Sequence, residues 1–201
     1  PNYGSPSNAS GNTPQFFEKK RELEQLVGRE LTTKETVAAF QDKQITDLAG
    51  NVIQYDPGDM WQGAGTSIFD PVLCEIAYKW FCPPGGTVID PFAGGSVRGL
   101  VAGYLGYSYY GVDLRAEQIE ANNKQRDKIL GKPSRVKWVT GDSTKAKSWK
   151  ASPPGDFVFT CPPYFDLEVY SDDPADISNA EDVNDFFDLL HSSFEHADKQ
   201  L

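Results

Sequence analysis

Four short apolar runs, Thr87–Asp90, Ser108–Asp113, Arg135–Thr140 and Asp156–Thr160, punctuate the second half of the chain and alternate with helical stretches. Strands that alternate with helices cannot be joined by tight hairpins, so they predict a parallel sheet covered on both faces. The expected order is helix, then strand–helix–strand–helix–strand–loop–strand–helix. That is an α/β, Rossmann-like doubly wound and mostly parallel sheet. In such a sheet ligands bind beyond the carboxyl ends of the strands, near the point where the winding reverses. The ends of these four runs therefore decide what the chain can do.

Local signals fix the flanking helices. Asp70-Pro71 predicts an N-cap followed by proline at the first helical position. In the helix after it, Val72, Leu73, Ile76, Ala77 and Trp80 form the expected inward stripe, and Pro83-Pro84-Gly85-Gly86 ends it. Small residues from Val97 to Leu105 and the stretch from Arg115 to Leu130 supply two more helices. Ser178 and Glu181 stand at capping-box spacing before a last helix whose predicted inward side chains are Val183, Phe186, Phe187, Leu190 and Phe194. No internal repeat is visible.

The N-terminal part reads differently. Residues 1–14 are Asn, Ser, Gly and Pro with few apolar side chains and are expected to form a disordered tail. Residues 15–64 are expected to hold accessory helices and loops. Thr32 and Glu35 form a capping box before Val37, Ala38, Ala39 and Phe40, and Asp56-Pro57-Gly58 is a turn. Residues 65–201 are then the main domain. The chain opens at Pro1 and its last predicted element is a helix running almost to Leu201, so the domain is expected to be incomplete at its C-terminus.

Composition narrows the chemistry. Three cysteines, Cys74, Cys82 and Cys161, are too few and too irregularly spaced for a disulfide framework, and only two histidines make a zinc site a poor expectation. Cys74 and Cys82 read as small buried hydrophobes. No run of about 18 apolar residues and no secretory signal is present, so a cytoplasmic protein is expected. The net charge of −10 has the wrong sign for a self-sufficient DNA binder, and Asp166, Glu168, Asp172, Asp173, Asp176, Glu181 and Asp182 make the segment after Phe165 acidic. Lys145, Lys147 and Lys150 read as solvated loop charges or as local phosphate contacts.

The strand ends carry the candidate site. The first gives Asp90-Pro91-Phe92-Ala93-Gly94-Gly95, where the glycines are either a tight turn or a place for a ligand to approach the backbone. The second ends at Asp113, followed by Leu114; Asp113 either caps the next helix or accepts hydrogen bonds from ribose hydroxyls. The third ends at Asp142-Ser143, where the acid is either a turn residue or an acceptor for an adenine amino group. The fourth runs into Cys161-Pro162-Pro163-Tyr164-Phe165, a rigid turn followed by an aromatic pair suited to stacking on a planar ring.

Asp90-Pro91-Phe92-Ala93-Gly94-Gly95 resembles the Asp-Pro-Phe-x-Gly cofactor motif of the DNA methyltransferases that methylate cytosine N4 or adenine N6. Cys161-Pro162-Pro163-Tyr164 resembles their (Asn/Asp/Ser)-Pro-Pro-Tyr catalytic motif. Thr66-Ser67-Ile68-Phe69-Asp70-Pro71 is similar to the upstream element that closes over the methionine end of the cofactor. The resemblance spans roughly Gly65 to Phe165.

It implies a class I methyltransferase fold with S-adenosylmethionine as cofactor. Ser67, Phe69, Asp90, Phe92, Ala93, Gly94, Gly95, Asp113, Leu114, Asp142, Ser143 and Cys161 would bind that cofactor. Cys161, Pro162, Pro163 and Tyr164 would form the catalytic turn, no metal would be needed, and Tyr164 and Phe165 would meet a base flipped from double-stranded DNA. The settings it implies are restriction–modification or phage DNA methylation.

Two departures stand out. The cofactor turn reads Gly94-Gly95-Ser96 where the family more often has Gly-x-Gly, and a thiol, a weak acceptor, occupies the first position of the catalytic turn. Target recognition would fall to a partner chain or to a region beyond Leu201. Competing readings are a non-catalytic S-adenosylmethionine-binding partner subunit and a methyltransferase of RNA or of a protein amide.

Overall fold

The computed structural model describes residues 14–56, 69–165, 170–171 and 173–201. Residues 1–13 of the expected tail, the Asp56-Pro57-Gly58 turn beyond Asp56, Ser67, and the acidic residues Asp166, Glu168 and Asp172 lie outside them, while Pro14 opens the first helix. The chain divides into two compact units, Pro1–Ser67 with Tyr164–Asp173, and Ile68–Pro163 with Pro174–Leu201.

The first unit joins two helices, α1 (Pro14–Val27) and α2 (Thr33–Asp42), to a hairpin of β1 (Gln44–Thr46) and β2 (Val52–Gln54). Thr32 caps α2 reciprocally with Glu35, as their spacing predicts. Phe16, Leu23, Val27, Leu31, Ala39 and Phe40 form its core. The hairpin lies where the sequence reads as loop. Its strands are three residues each, too short for a period of two to show, and the turn is held by Asp47, which accepts from the backbone N–H groups of Ala49 and Asn51.

The second unit contains α3 (Pro71–Phe81), β3 (Thr87–Asp90), α4 (Val97–Tyr104), β4 (Ser108–Asp113), α5 (Ala116–Ile129), β5 (Val136–Thr140), β6 (Phe157–Val158) and α6 (Val183–Asp198). Short 3-10 turns lie at Ala146–Trp149 and Ile177–Asn179. The four strands are parallel, in the order β5-β4-β3-β6. The chain winds outward from β3 through β4 to β5, then returns to place β6 on the other side of β3. The reversal lies between β3 and β6, so the turns after these two neighbouring strands meet at the switch point of a doubly wound sheet.

Strand alternation gives the sheet two apolar faces. Val88, Tyr109, Val136 and Trp138 pack with Cys74, Tyr78 and Ala102 of the helices on one face. Ile89, Tyr110 and Val112 pack with Trp149 and Ala197 on the other.

Two helices fully bury only one residue of the stripe their sequences predict, Ala77 in one and Phe186 in the other. In α3, capped by Asp70 through Val72 N–H and Leu73 N–H, the buried residues are Cys74, Ala77 and Tyr78. Val72 and Trp80 are 60% and 74% exposed. The helix is apolar nearly all round, so periodicity could not choose a face. The Tyr78 hydroxyl chooses it by donating to the Arg98 carbonyl at 3.0 Å, with its ring edge-on to Phe159.

In α6 the buried residues are Phe186, Ser193 and Ala197, while Val183, Phe187 and Phe194 are exposed. Small side chains let this helix approach closely, and the Ser193 hydroxyl meets that of Ser143 at 3.0 Å. Its N-cap is Asp182, which accepts from Asn184 and Asp185 N–H; Ser178 sits instead in the preceding 3-10 turn, held by Asp176.

Helix α4 lies against β5 because Gly99 and Gly103 carry no side chain there. A methyl group at Gly99 would run into the Trp138 ring, which is buried and cannot swing away. Gly99→Ala is expected to destabilise the second unit by about 1–3 kcal/mol, the usual cost of overpacking. Urea unfolding followed by tryptophan fluorescence measures it, and wild-type stability would show that α4 can shift at no cost.

Candidate functional site

The site is built on a buried carboxylate. Asp90, the last residue of β3, is completely inaccessible to solvent. Oδ2 accepts from Arg98 Nε and from the Tyr109 hydroxyl, each at 2.6 Å. Oδ1 accepts from the Thr160 hydroxyl at 2.6 Å and from Phe92 N–H at 3.1 Å. Arg98, in the first turn of α4, is itself buried, and its Nη2 donates to the carbonyls of Phe92 and Ala93 at 2.6 and 3.0 Å.

Burial opposes the guanidinium charge, but the Asp90 carboxylate outweighs it and raises the Arg98 pKa above its ordinary value. Burial beside the same carboxylate pushes the Tyr109 phenol well above its usual range. The ion pair is enclosed, and both carbonyls of the Phe92-Ala93 turn are drawn inward.

With those carbonyls drawn inward, the next residues take up a tight turn. Gly94 adopts φ +48°, a left-handed conformation that glycine reaches without strain. Among the described residues, a Cβ at Gly94 or Gly95 would meet nothing within 4 Å, so they leave open space on that side of the turn. Gly94 N–H donates to Asp113 Oδ2 at 2.8 Å, and the Gly94 carbonyl accepts from Asn122 of α5. The Ser96 hydroxyl bonds the Gln125 side chain, so it does not cap α4. Among the described residues no side chain caps the first turn of α4.

Asp113 does not cap the next helix. The N-cap position of α5 belongs to Arg115, with no side-chain cap bond. Asp113 Oδ1 accepts from Arg115 N–H at 2.9 Å, and each carboxylate oxygen keeps a further lone pair. Burial raises the pKa of Asp113 above the ordinary aspartate value, against the pull of the Arg115 and Gly94 amides. Leu114 beside it is half-buried.

After β5, Asp142 Oδ1 accepts from the Thr144 amide and hydroxyl. Ser143 is buried, its hydroxyl shared with Ser193 and its carbonyl bonded by Trp149 Nε1. Lys145, Lys147 and Lys150 are exposed around the adjoining 3-10 turn.

After β6, Cys161, Pro162 and Pro163 are partly buried. Phe69 is half-buried, edge-on to Phe159, with the Arg98 guanidinium carbon 4.8 Å from its ring centre. Phe92 is half-buried and edge-on to Phe194. Cys74 and Cys82 are buried thiols pushed up to about 12 and about 11 by burial, so neither is reactive near neutrality.

No protein-family model matches the chain, and no curated protein matches it. Among solved structures it is similar to TrmN from Thermus thermophilus, at 21% identity over 47% of this chain and 29% of that one, with a TM-score of 0.40. A SAM-dependent methyltransferase from Agrobacterium tumefaciens matches at 18% identity over 79% and 48%, TM-score 0.49. An rRNA methylase from Streptococcus thermophilus matches at 13% identity over 68% and 67%, TM-score 0.44. The chain spans less than half the length of the first two. At such identities and scores, these likenesses assign no role to any residue here.

Within the second unit the structure brings the ends of β3, β4, β5 and β6 to one rim, as their spacing predicts. Asp90, Ala93 and Ser143 stand there as frame: their polar groups bond the protein itself and they are buried. Gly94, Gly95, Asp113 and Asp142 keep open faces or lone pairs. Tyr164, half exposed, and Phe165 fall in the first unit, and their stacking role stays an expectation. Ser67 lies outside the described residues.

Sequence reasoning missed Arg98 and Thr160. A lone charge one turn into a helix of small residues, and a hydroxyl closing an apolar strand, were the available signals. Among the described residues no group of three or more His, Cys, Asp or Glu side chains is placed to hold a metal ion. No described helix is long and apolar enough to cross a membrane.

Arg98→Met strands a buried carboxylate and is expected to cost about 3–5 kcal/mol of stability. The double variant Asp90→Asn/Arg98→Met removes both charges and should recover a large part of that loss. Chemical denaturation of wild type, the two single variants and the double variant gives the coupling directly; additive losses would mean that the ion pair contributes nothing of its own.

Proposed function

We propose that the chain binds S-adenosylmethionine at this rim and takes part in methyl transfer to an exocyclic amino group of a nucleic-acid base, cytosine N4 or adenine N6 in DNA. The observation that carries the reading is the pairing at the switch point. A glycine turn with open space beside it, and an acid on the neighbouring strand, adjoin the Cys161-Pro162-Pro163 turn.

The residues present fit such a cofactor. Gly94 and Gly95 let a ligand approach the backbone, and the uncapped first turn of α4 offers amide donors to a carboxylate. The remaining lone pairs of Asp113 suit ribose hydroxyls, and Asp142 Oδ2, which accepts no hydrogen bond from a described residue, suits an adenine amino group.

S-adenosylmethionine, when bound, supplies a methyl group activated on sulfonium. The chain's part is to orient and to polarise. The Pro162 carbonyl is the stronger acceptor for a target amino group, and the Cys161 thiol the weaker. Hydrogen bonding to that amino group holds its lone pair ready on nitrogen, so positioning and electrostatics supply the catalysis. Tyr164 receives its base-stacking role from the resemblance alone.

Calorimetry with S-adenosylmethionine tests the cofactor site. Wild type is expected to bind saturably, and Asp113→Ala to bind roughly tenfold to hundredfold more weakly. No binding by a folded wild type would overturn the reading. Transfer of labelled methyl to DNA, RNA and protein, followed by analysis of the modified product, then separates amino methylation of DNA from the RNA and protein alternatives.

Titration adds a second prediction. Ionised Asp113 is the better acceptor, and burial raises its pKa. Affinity should therefore fall as pH drops toward that raised value, above the ordinary aspartate range near about 4. Asp113→Asn should flatten this dependence; an unchanged slope would remove Asp113 from the cofactor site.

A further inference from the structure

Thr160 does something that neither strand-end motif accounts for. It is the residue immediately before Cys161, and its hydroxyl reaches across the switch point to the turn after β3. It donates to Asp90 Oδ1 at 2.6 Å and shares the Phe92 N–H with that same oxygen, accepting at 3.2 Å where Asp90 Oδ1 accepts at 3.1 Å. One hydroxyl thus touches both ends of the Asp90-Pro91-Phe92 turn while its own backbone leads into the Pro-Pro turn.

The other side of Asp90 is held by Arg98 and Tyr109, so the carboxylate cannot follow Thr160 if that strand moves. The regular pairing of β6 with β3 covers Val88 with Phe157 and Ile89 with Val158; beyond it Asp156 N–H bonds the Thr87 carbonyl at one end and Phe159 N–H the Ile89 carbonyl at the other. Past that bond, the Thr160 hydroxyl continues the link between the two segments. Backbone pairing therefore gives way to a side chain just before the place where the register of the two turns matters.

We infer that Thr160 is a positioning residue: its hydroxyl, clamped on Asp90 and Phe92 N–H, sets the Cys161-Pro162-Pro163 turn in register with the Phe92–Gly95 turn. The inference rests on the proposed cofactor reading for its functional consequence, but the clamp itself is a property of the protein alone. Sliding the two turns apart would separate the acceptor carbonyl from the cofactor cradle without removing any group that touches a ligand.

Thr160→Val keeps the shape and removes the hydroxyl, whereas Thr160→Ser keeps the hydroxyl and removes a methyl. Two readouts are needed. Amide hydrogen exchange, measured on the whole chain without ligand, reports the clamp: Thr160→Val should speed exchange roughly tenfold at Phe159, whose N–H makes the last backbone bond before Thr160, and Thr160→Ser should restore it. Calorimetry with S-adenosylmethionine reports the consequence, with affinity roughly tenfold weaker in Thr160→Val and within about twofold of wild type in Thr160→Ser.

Wild-type exchange in a folded Thr160→Val, or a Thr160→Ser as impaired as the valine variant, overturns the clamp. If Thr160→Val does not fold, Thr160→Ser decides: wild-type exchange and affinity support the hydroxyl's role, and impairment refutes it. A wild type that binds no S-adenosylmethionine sinks the cofactor reading while exchange at Phe159 still judges the clamp.

Discussion

The Asp90–Arg98 ion pair is the constraint on which the rest of the rim depends. Two charges have been taken out of water, which is costly unless every remaining donor and acceptor is matched. Here the matching is dense. Asp90 receives Tyr109, Thr160 and Phe92 N–H besides Arg98, and Arg98 reaches two carbonyls of the turn. Arg98 also lies over the Phe69 ring, and its own backbone carbonyl accepts from Tyr78. β3, β4, the start of α4, α3 and the end of β6 therefore share one polar centre.

This centre explains how a turn with few side chains holds a defined shape. With the Phe92 and Ala93 carbonyls turned toward Arg98, the chain reaches Gly94 in a left-handed conformation and its amide points at Asp113. Asn122 then takes the Gly94 carbonyl from α5. The groups that face outward are those the inward ones leave over. Residues that the motif resemblance assigns to ligand contact thus separate into a buried frame and an exposed edge. The distinction is physical, since a carboxylate with four donors and no solvent exposure has little left to offer a ligand.

Much of the second unit was legible locally. The Asp70-Pro71 cap, the four strand segments and the alternation of strand with helix depend on residues close in sequence, and each appears where those residues put it. The faces of α3 and α6 were not legible. Both helices carry apolar side chains around more than one side, so periodicity offers several stripes and only the neighbours can select one. Tyr78 is selected because its hydroxyl finds a carbonyl on α4, and Ser193 and Ala197 because small residues let α6 sit close to the sheet. The hairpin of the first unit escaped for the opposite reason, its strands being too short to show a period.

The sequence by itself determined the kinds of groups gathered at the strand ends: a glycine turn, an acid after the next strand, another after the third and a Pro-Pro turn after the fourth. These arise from local chemistry, because strand ends and turns are written in neighbouring residues. Only the tertiary structure decided that β6 lies beside β3, which sets the first and last of those ends together. It alone gave Asp90 its four donors, which come from positions up to 70 residues away. Long-range pairing of that kind leaves no period and no spacing in a single chain, which is why Arg98 and Thr160 became visible only in three dimensions.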